Sequence, residues 1–162
     1  MPFKIFISYS TKDLEKANQV KQRLSTYTAF GIQTYLAEYD APPGAKLSED
    51  LLKNLRDSDV FCLLWSHNAK ESNWVSQEIG IAKATDKLII PILLDRDLQP
   101  PGFIQDLKYI TAHDSFESAM SNLQKSITVH ATTKALKETK DKDALVLLGL
   151  GALLLFVLSG DN

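Results

Sequence analysis

The sequence predicts an α/β fold in which five parallel strands form a doubly wound sheet. Two observations support this prediction. Short apolar runs of strand length recur along the chain, and segments with helical periodicity lie between them. Strands and helices that alternate in this way are typical of a parallel sheet covered by helices on both faces.

Five apolar runs are predicted to be strands. They cover residues 4–9, 32–37, 60–66, 87–94 and, more weakly, 109–112. The connection over residues 95–108 has little periodicity, and its "QPPG" predicts a turn rather than a full helix. The strand order expected for such a chain is the flavodoxin-like 2-1-3-4-5.

Four helices are predicted from apolar residues spaced three or four positions apart. The apolar positions of three of them are Leu14, Ala17, Val20 and Leu24; Leu47, Leu51, Leu52 and Leu55; and Ala119, Met120, Leu123 and Ile127. Ser10 or Thr11 is placed to cap the first of these helices. The remaining helix is "NWVSQEIGIAKA", residues 73–84, which follows the third strand.

The composition suits a single domain with a substantial core. The chain has 162 residues, of which 44% are hydrophobic, and a net charge of −2. Because there is no basic excess to meet phosphates, general nucleic-acid binding is excluded. Cys62 is the one cysteine, so no internal disulfide can form and a reducing compartment is expected. Its place in "VFCLLW" predicts a buried, unreactive thiol.

Glu78 lies on the apolar side of the third predicted helix. At about 100° per residue, Glu78 falls about 40° from Trp74, inside the apolar arc. One structural explanation is interaction with the helix dipole or a capping box, and another is a salt bridge at the flank of the core. With Ser72 or Asn73 as the N-cap, however, Glu78 lies beyond the first helical turn.

The predicted sheet brings Glu78 close to a place where ligands bind. In doubly wound sheets this place is the carboxyl edge at the topological switch point, here between the first and third strands. The first strand ends at Tyr9–Ser10 and the third at Ser66–His67, just before the helix that carries Glu78. Trp74 shares its face with Glu78, and an aromatic wall beside a carboxylate suits a flat, cationic ring. Core packing is the alternative role for Trp74.

Several stretches together resemble a TIR (Toll/interleukin-1 receptor/resistance) domain over about residues 3–130. They are "KIFISYSTKD", "YLAEYDAPPGAKLSEDL" and "SDVFCLLWSHNAKESNWVSQEIGIAKATDKLIIPILLD". Members of this family either assemble signalling complexes as scaffolds or cleave the nicotinamide–ribose bond of NAD⁺, and both roles stay open. The W-x-x-x-E pattern formed by Trp74 and Glu78 resembles that of the catalytic group, many of them prokaryotic, and implies that Glu78 is the catalytic residue.

The resemblance also implies a substrate pocket and self-assembly. The pocket residues expected from it are Trp74, Tyr9, Ser10, Pro43, Gly44 and Leu47. Residues 40–47 resemble the BB loop, which gates the pocket and makes assembly contacts with other TIR domains. His67, just after the third strand, is a further pocket candidate or else a surface loop residue. NAD⁺ would be the substrate, with no cofactor. No metal site is expected, because the three histidines and one cysteine lack ligand spacing.

The C-terminal end predicts a hydrophobic, membrane-spanning helix over residues 144–160. Its uncharged run, residues 144–158, gives about 23 Å of helix. Its Leu, Val and Phe residues favour insertion by about 4–5 kcal/mol before glycine losses. Residues 131–143 are predicted to be a charged linker or helix extension, whose lysines favour a cytoplasmic location for the preceding domain, residues 1–130. The alternative is a helix buried in the core or by oligomerisation.

Overall fold

A computed structural model describes residues 2–26, 31–37 and 48–138 of the chain. Its strands are β1 (Lys4–Ser8), β2 (Gln33–Leu36), β3 (Val60–Trp65), β4 (Leu88–Leu93) and β5 (Ile110–Thr111). Its α-helices are α1 (Leu14–Ser25), α2 (Glu49–Asp57), α3 (His67–Lys70), α4 (Asn73–Ala84) and α5 (Phe116–Glu138). Within these ranges, two short 3₁₀ turns lie at Thr11–Asp13 and Gly102–Ile104.

The strands form one sheet in the order β2-β1-β3-β4-β5, and the paired strands are parallel, as predicted. From β1 the chain passes outward to β2 and then returns to the other side of β1 to form β3. The carboxyl ends of β1 and β3 therefore lie side by side, and Ser8 is paired in register with Leu63. This is the topological switch point that the sequence predicts.

The centre of the sheet is apolar on both faces. All six residues of β3 are buried. Phe6 of β1 stacks between Tyr35 and Phe61, with ring centroids 5.4 and 5.6 Å apart. Contacts of this kind lock the register of three neighbouring strands, because a slip of one residue would move each ring to the opposite face.

The link between β4 and β5, residues 94–109, is irregular and contains no α-helix, as "QPPG" predicts. It contains only the 3₁₀ turn at Gly102–Ile104, of which Ile104 is buried. The indole Nε1 of Trp65 donates a hydrogen bond to the carbonyl of Gln99 at 2.9 Å, which fixes the start of the link against the end of β3.

The predicted cap of the first helix is wrong. Ser10 precedes the 3₁₀ turn and makes no side-chain cap hydrogen bond, and α1 itself begins after Asp13. Asp13 does not cap α1 either, because its carboxylate bonds to residues that follow β3. Leu14 is 47% exposed instead of joining the apolar face, whereas Ala17, Val20 and Leu24 are buried as predicted.

Helix α2 is stabilised at both of its ends. The Ser48 Oγ accepts a hydrogen bond from the backbone N–H of Leu51 at 3.1 Å. At the other end of α2, the Lys87 Nζ donates to the carbonyl of Ser58 at 2.7 Å, where a cation complements the negative end of the helix dipole. Of the apolar positions predicted for this helix, Leu51 and Leu55 are buried and Leu52 is half-buried, while residue 47 lies outside the described residues.

The chain divides into two compact units, residues 1–120 and 121–162. Of the second unit, the structure describes residues 121–138, which are the C-terminal part of α5. Lys134 and Glu138 form an ion pair there at 3.8 Å. None of the described helices has the length and apolar character needed to cross a membrane. The predicted hydrophobic segment, residues 144–160, lies outside the described residues.

Cys62 is expected to be unreactive in the folded protein. Its side chain is fully buried in β3, and burial raises the pKa of the thiol to about 12, so very little thiolate is present near neutral pH. A thiol reagent such as DTNB should leave Cys62 unmodified in native buffer and titrate one thiol per chain in denaturant. Rapid modification of the native protein would contradict this burial.

Gly80→Ala is expected to stabilise the protein by about 0.5–1 kcal/mol. Gly80 is an exposed residue inside α4, and a Cβ built there meets no atom within 4 Å, so alanine gains helix propensity without a clash. Gly31→Ala is the matched control: its φ of +57° is costly for alanine, and a loss of about 1 kcal/mol is expected. Urea unfolding of both variants measures the two changes. A loss of stability in Gly80→Ala would show that α4 needs glycine at this position.

Candidate active site

Helix α4 places the Glu78 side chain in the interior. The helix begins at Asn73, after Ser72, whose Oγ accepts a hydrogen bond from the backbone N–H of Val75 at 3.3 Å. Glu78 is therefore in the second turn, too far along for a capping box or for a strong interaction with the dipole. Its exposed fraction is 0%, the same as that of its helix neighbours Val75 and Ile79.

The Glu78 carboxylate meets the end of β1. The Ser8 Oγ donates a hydrogen bond to the Glu78 Oε2 at 2.5 Å, joining residues that are 70 positions apart in the sequence. Ser8 is the last residue of β1 and is itself fully buried. A hydroxyl that donates to a carboxylate makes one of the shorter and stronger hydrogen bonds in proteins. The carboxylate therefore lies at the switch point between β1 and β3.

The other predicted pocket residues have different surroundings. Tyr9 and Ser10, which directly follow Ser8, are buried, with 3% and 7% of their surfaces exposed. Trp74 is half-buried and lies one helical turn before Glu78 on α4, as expected for positions i and i+4. His67 is exposed at the start of α3. The predicted residues Pro43, Gly44 and Leu47 lie outside the described residues.

A hydrogen-bond network that the sequence does not reveal joins the loops after β1 and β3. The Asp13 carboxylate accepts hydrogen bonds from the Ser66 Oγ at 2.5 Å and from the Asn68 Nδ2 at 2.9 Å. The Ser66 Oγ in turn accepts from the backbone N–H of Ala69 at 2.9 Å. Asp13 thus ties the end of β1 to the segment that leads into α4.

Asp95, just after β4, holds the same segment from the other side. Its Oδ2 accepts the backbone N–H of His67 at 2.7 Å, and the backbone N–H of Leu94 donates to the carbonyl of Trp65 at 2.9 Å. The segment between β3 and α4 is therefore held by both neighbouring strand ends. Among the described residues, no three His, Cys, Asp or Glu side chains are grouped so that they could hold a metal ion.

Asp13→Ala is expected to lower the free energy of unfolding by about 2 kcal/mol. The substitution removes a charged acceptor and leaves the Ser66 hydroxyl and the Asn68 amide without it, and each unmatched, partly buried group costs about 1 kcal/mol or more. Asp57→Ala, at the exposed last residue of α2, is the control and should change stability by less than about 0.5 kcal/mol. Equal urea midpoints for the two variants would show that the network contributes nothing.

Comparison with known proteins identifies the family. The family model described as the TIR domain matches residues 5–124, most of the chain. The chain belongs to the TIR-domain family. The TIR domain of the Toll-related receptor TRR-2 from Hydra magnipapillata has the same fold: it superposes with a TM-score of 0.60 at 24% identity, covering 76% of this chain and 96% of the receptor domain.

Two other solved structures are less similar to this TIR domain. The TIR domains of the activated Roq1 resistosome recognising the effector XopQ give a TM-score of 0.46 at 22% identity, covering 59% of each chain. A 2-desoxiribosyltransferase from Leishmania mexicana gives a TM-score of 0.44 at 14% identity, covering 58% of this chain and 66% of that chain. With TM-scores under 0.5, neither supports an inference about function. No curated protein matches the sequence.

Proposed function

We propose that this TIR domain is an NAD⁺ glycohydrolase or cyclase of the prokaryotic type. It cleaves the nicotinamide–ribose bond and releases nicotinamide together with ADP-ribose or a cyclic ADP-ribose. Glu78 is the catalytic residue, and the enzyme is active when TIR domains assemble. A role in antiviral defence or stress signalling follows from the family resemblance.

The single observation that supports this proposal best is the hydrogen bond between Ser8 and Glu78. A fully buried carboxylate is costly, and the apolar face of α4 would be more stable with an apolar side chain at this position. Glu78 nevertheless lies at the switch point of the sheet, with Trp74 one turn away. A costly group at the place where doubly wound folds bind ligands favours a functional role.

The chemistry requires little more than a carboxylate. Nicotinamide in NAD⁺ is already a cationic leaving group, so it departs without receiving a proton. Its departure leaves positive charge on the ribose carbon, as in glycoside cleavage, and a nearby carboxylate stabilises that charge. Only the acceptor, either water or a hydroxyl of the substrate itself, must lose a proton. Because Glu78 is fully buried in this state, substrate binding must first expose it.

The test is the release of nicotinamide from NAD⁺ by the full chain, measured by chromatography over a range of protein concentrations. The specific rate should rise with concentration, because assembly is proposed to activate the enzyme. Release that stays at the buffer background across the whole range would overturn the proposal.

The full burial of Glu78 also favours a second candidate function, a scaffold in which Glu78 is structural. Such a protein would bind other TIR domains through the loop that contains Pro43 and Gly44, without turning over NAD⁺. Gly44→Asp should then abolish self-association, measured by sedimentation, in a protein that releases no nicotinamide. This alternative would be contradicted if the protein still released nicotinamide after dilution to concentrations at which all assemblies have dissociated.

For either function, we propose that residues 144–160 anchor the TIR domain to a membrane with the domain in the cytoplasm. Their uncharged composition supports this proposal, since a charged residue at the centre of such a segment costs about 3 kcal/mol. The full chain should stay with the membrane fraction after alkaline extraction, and Leu153→Arg should release it. Complete release of the unmodified chain would rule out an anchor.

A further inference from the structure

We propose that Ser8 is a positioning residue that sets the orientation of the Glu78 carboxylate for reaction. This proposal rests on the proposed NAD⁺ cleavage. It concerns a strand residue outside the W-x-x-x-E pattern, which would act on the substrate only through Glu78.

The position of the Ser8 hydroxyl is fixed by the sheet. β1 is paired on both sides: Ser8 lies opposite Leu63 of β3, and Ile7 lies opposite Leu36 of β2. Just beyond β2, the backbone N–H of Ala37 donates to the carbonyl of Ile7 at 3.0 Å. An interior strand with partners on both sides has little freedom to move. The hydroxyl is thus a fixed reference point at the carboxyl edge.

The Glu78 side chain needs such a reference point. Helix α4 fixes its Cα, but three side-chain torsions separate the Cα from the carboxylate oxygens. The hydrogen bond of 2.5 Å from Ser8 restrains the Oε2 and thereby the direction of the carboxylate. A catalytic group must be held within a fraction of an ångström of its productive position, and a misplacement of about 1 Å lowers rates by about 100-fold.

One feature distinguishes positioning from direct substrate binding. A serine hydroxyl has one proton, and here that proton is directed to Glu78, so Ser8 has no second proton to donate to a ribose hydroxyl. Loss of the hydroxyl is therefore expected to change kcat and to leave KM nearly unchanged.

The experiment compares Ser8→Ala with Ser58→Ala in steady-state nicotinamide release by the full chain. Ser58 is a matched control, since it is also buried and its Oγ donates to the carbonyl of Leu55 at 2.7 Å, ahead of β3 at the opposite edge of the sheet. Ser8→Ala should lower kcat by about 10- to 100-fold with KM within about threefold. Ser58→Ala should keep kcat within about twofold.

A conservative variant separates this role from a merely structural one. Ser8→Thr keeps the hydroxyl and should restore most of the lost kcat. If Ser8→Ala does not fold, Ser8→Cys takes its place: its thiol is a weak donor of similar size, and the same fall in kcat is expected. If the wild type is active and the folded Ser8 variant has the same kcat, the positioning role alone is overturned. A wild type that releases no nicotinamide overturns the proposed function and this role with it.

Discussion

Glu78→Gln should lower kcat/KM for nicotinamide release by about 1,000-fold. Glutamine has nearly the same shape as glutamate and can still accept a hydrogen bond from Ser8, so the site keeps its packing. It lacks the negative charge, and an amide stabilises the developing cation on the ribose far less well than a carboxylate does. A loss of this size corresponds to about 4 kcal/mol of transition-state stabilisation.

The control for this substitution is Glu71→Gln. Glu71 is an exposed residue between α3 and α4, only seven positions from Glu78, and the net charge of the two variants is the same. Initial rates of nicotinamide release are measured for both at equal protein concentration, after circular dichroism has shown that both are folded. Glu71→Gln should retain the wild-type rate. If Glu78→Gln retains it as well, Glu78 is not the catalytic residue.

Removing the buried polar pair should stabilise the protein while it inactivates the enzyme. Ser8→Ala together with Glu78→Met replaces a hydroxyl and a carboxylate, both fully buried, by apolar side chains. Replacing both partners of a buried hydrogen bond by apolar groups of similar shape is nearly neutral or stabilising, and where the pair includes a buried charge the gain can reach about 1–4 kcal/mol. A gain in this range is expected, because at this site function is proposed to take precedence over stability.

Urea unfolding of the double variant and of each single variant measures this effect as a double-mutant cycle. Glu78→Met alone leaves the Ser8 hydroxyl without its acceptor, so it should gain less than the double variant. A fall in the free energy of unfolding of the double variant would favour the scaffold alternative, in which the pair is structural.

The sequence predicts the sheet well because its signals are local. The runs that became β3 and β4 are apolar on both faces, and a parallel sheet with helical crossovers leaves few possible strand orders. The cap of α1 could not be predicted, because it depends on a contact distant in sequence: Asp13 bonds to Ser66 and Asn68 instead of to its own helix. Helix propensity carries no information about such partners.

The site was predictable only in part. The angular position of Glu78 on α4 marks it as unusual, but nothing local indicates which residue receives its carboxylate. A usable signal exists in "KIFISY": Ser8 is a polar residue in a strand that is buried on both faces, and buried polar groups need partners. Asp13 gives no such signal, because an acidic residue ahead of a helix usually interacts with that helix or with solvent.

The central claim is that NAD⁺ binds at the carboxyl edge of β1 and β3, against Glu78. Amide NMR shifts on addition of the uncleavable analogue carba-NAD⁺ test this claim most directly. The expected shifts are concentrated at Ser8 to Ser10 and in α4 around Trp74 and Glu78, with none at Ser58 and Asp59 on the opposite edge. NAD⁺ binding at this site would be contradicted if saturating analogue left the amides of the first group unshifted or shifted only those of the opposite edge.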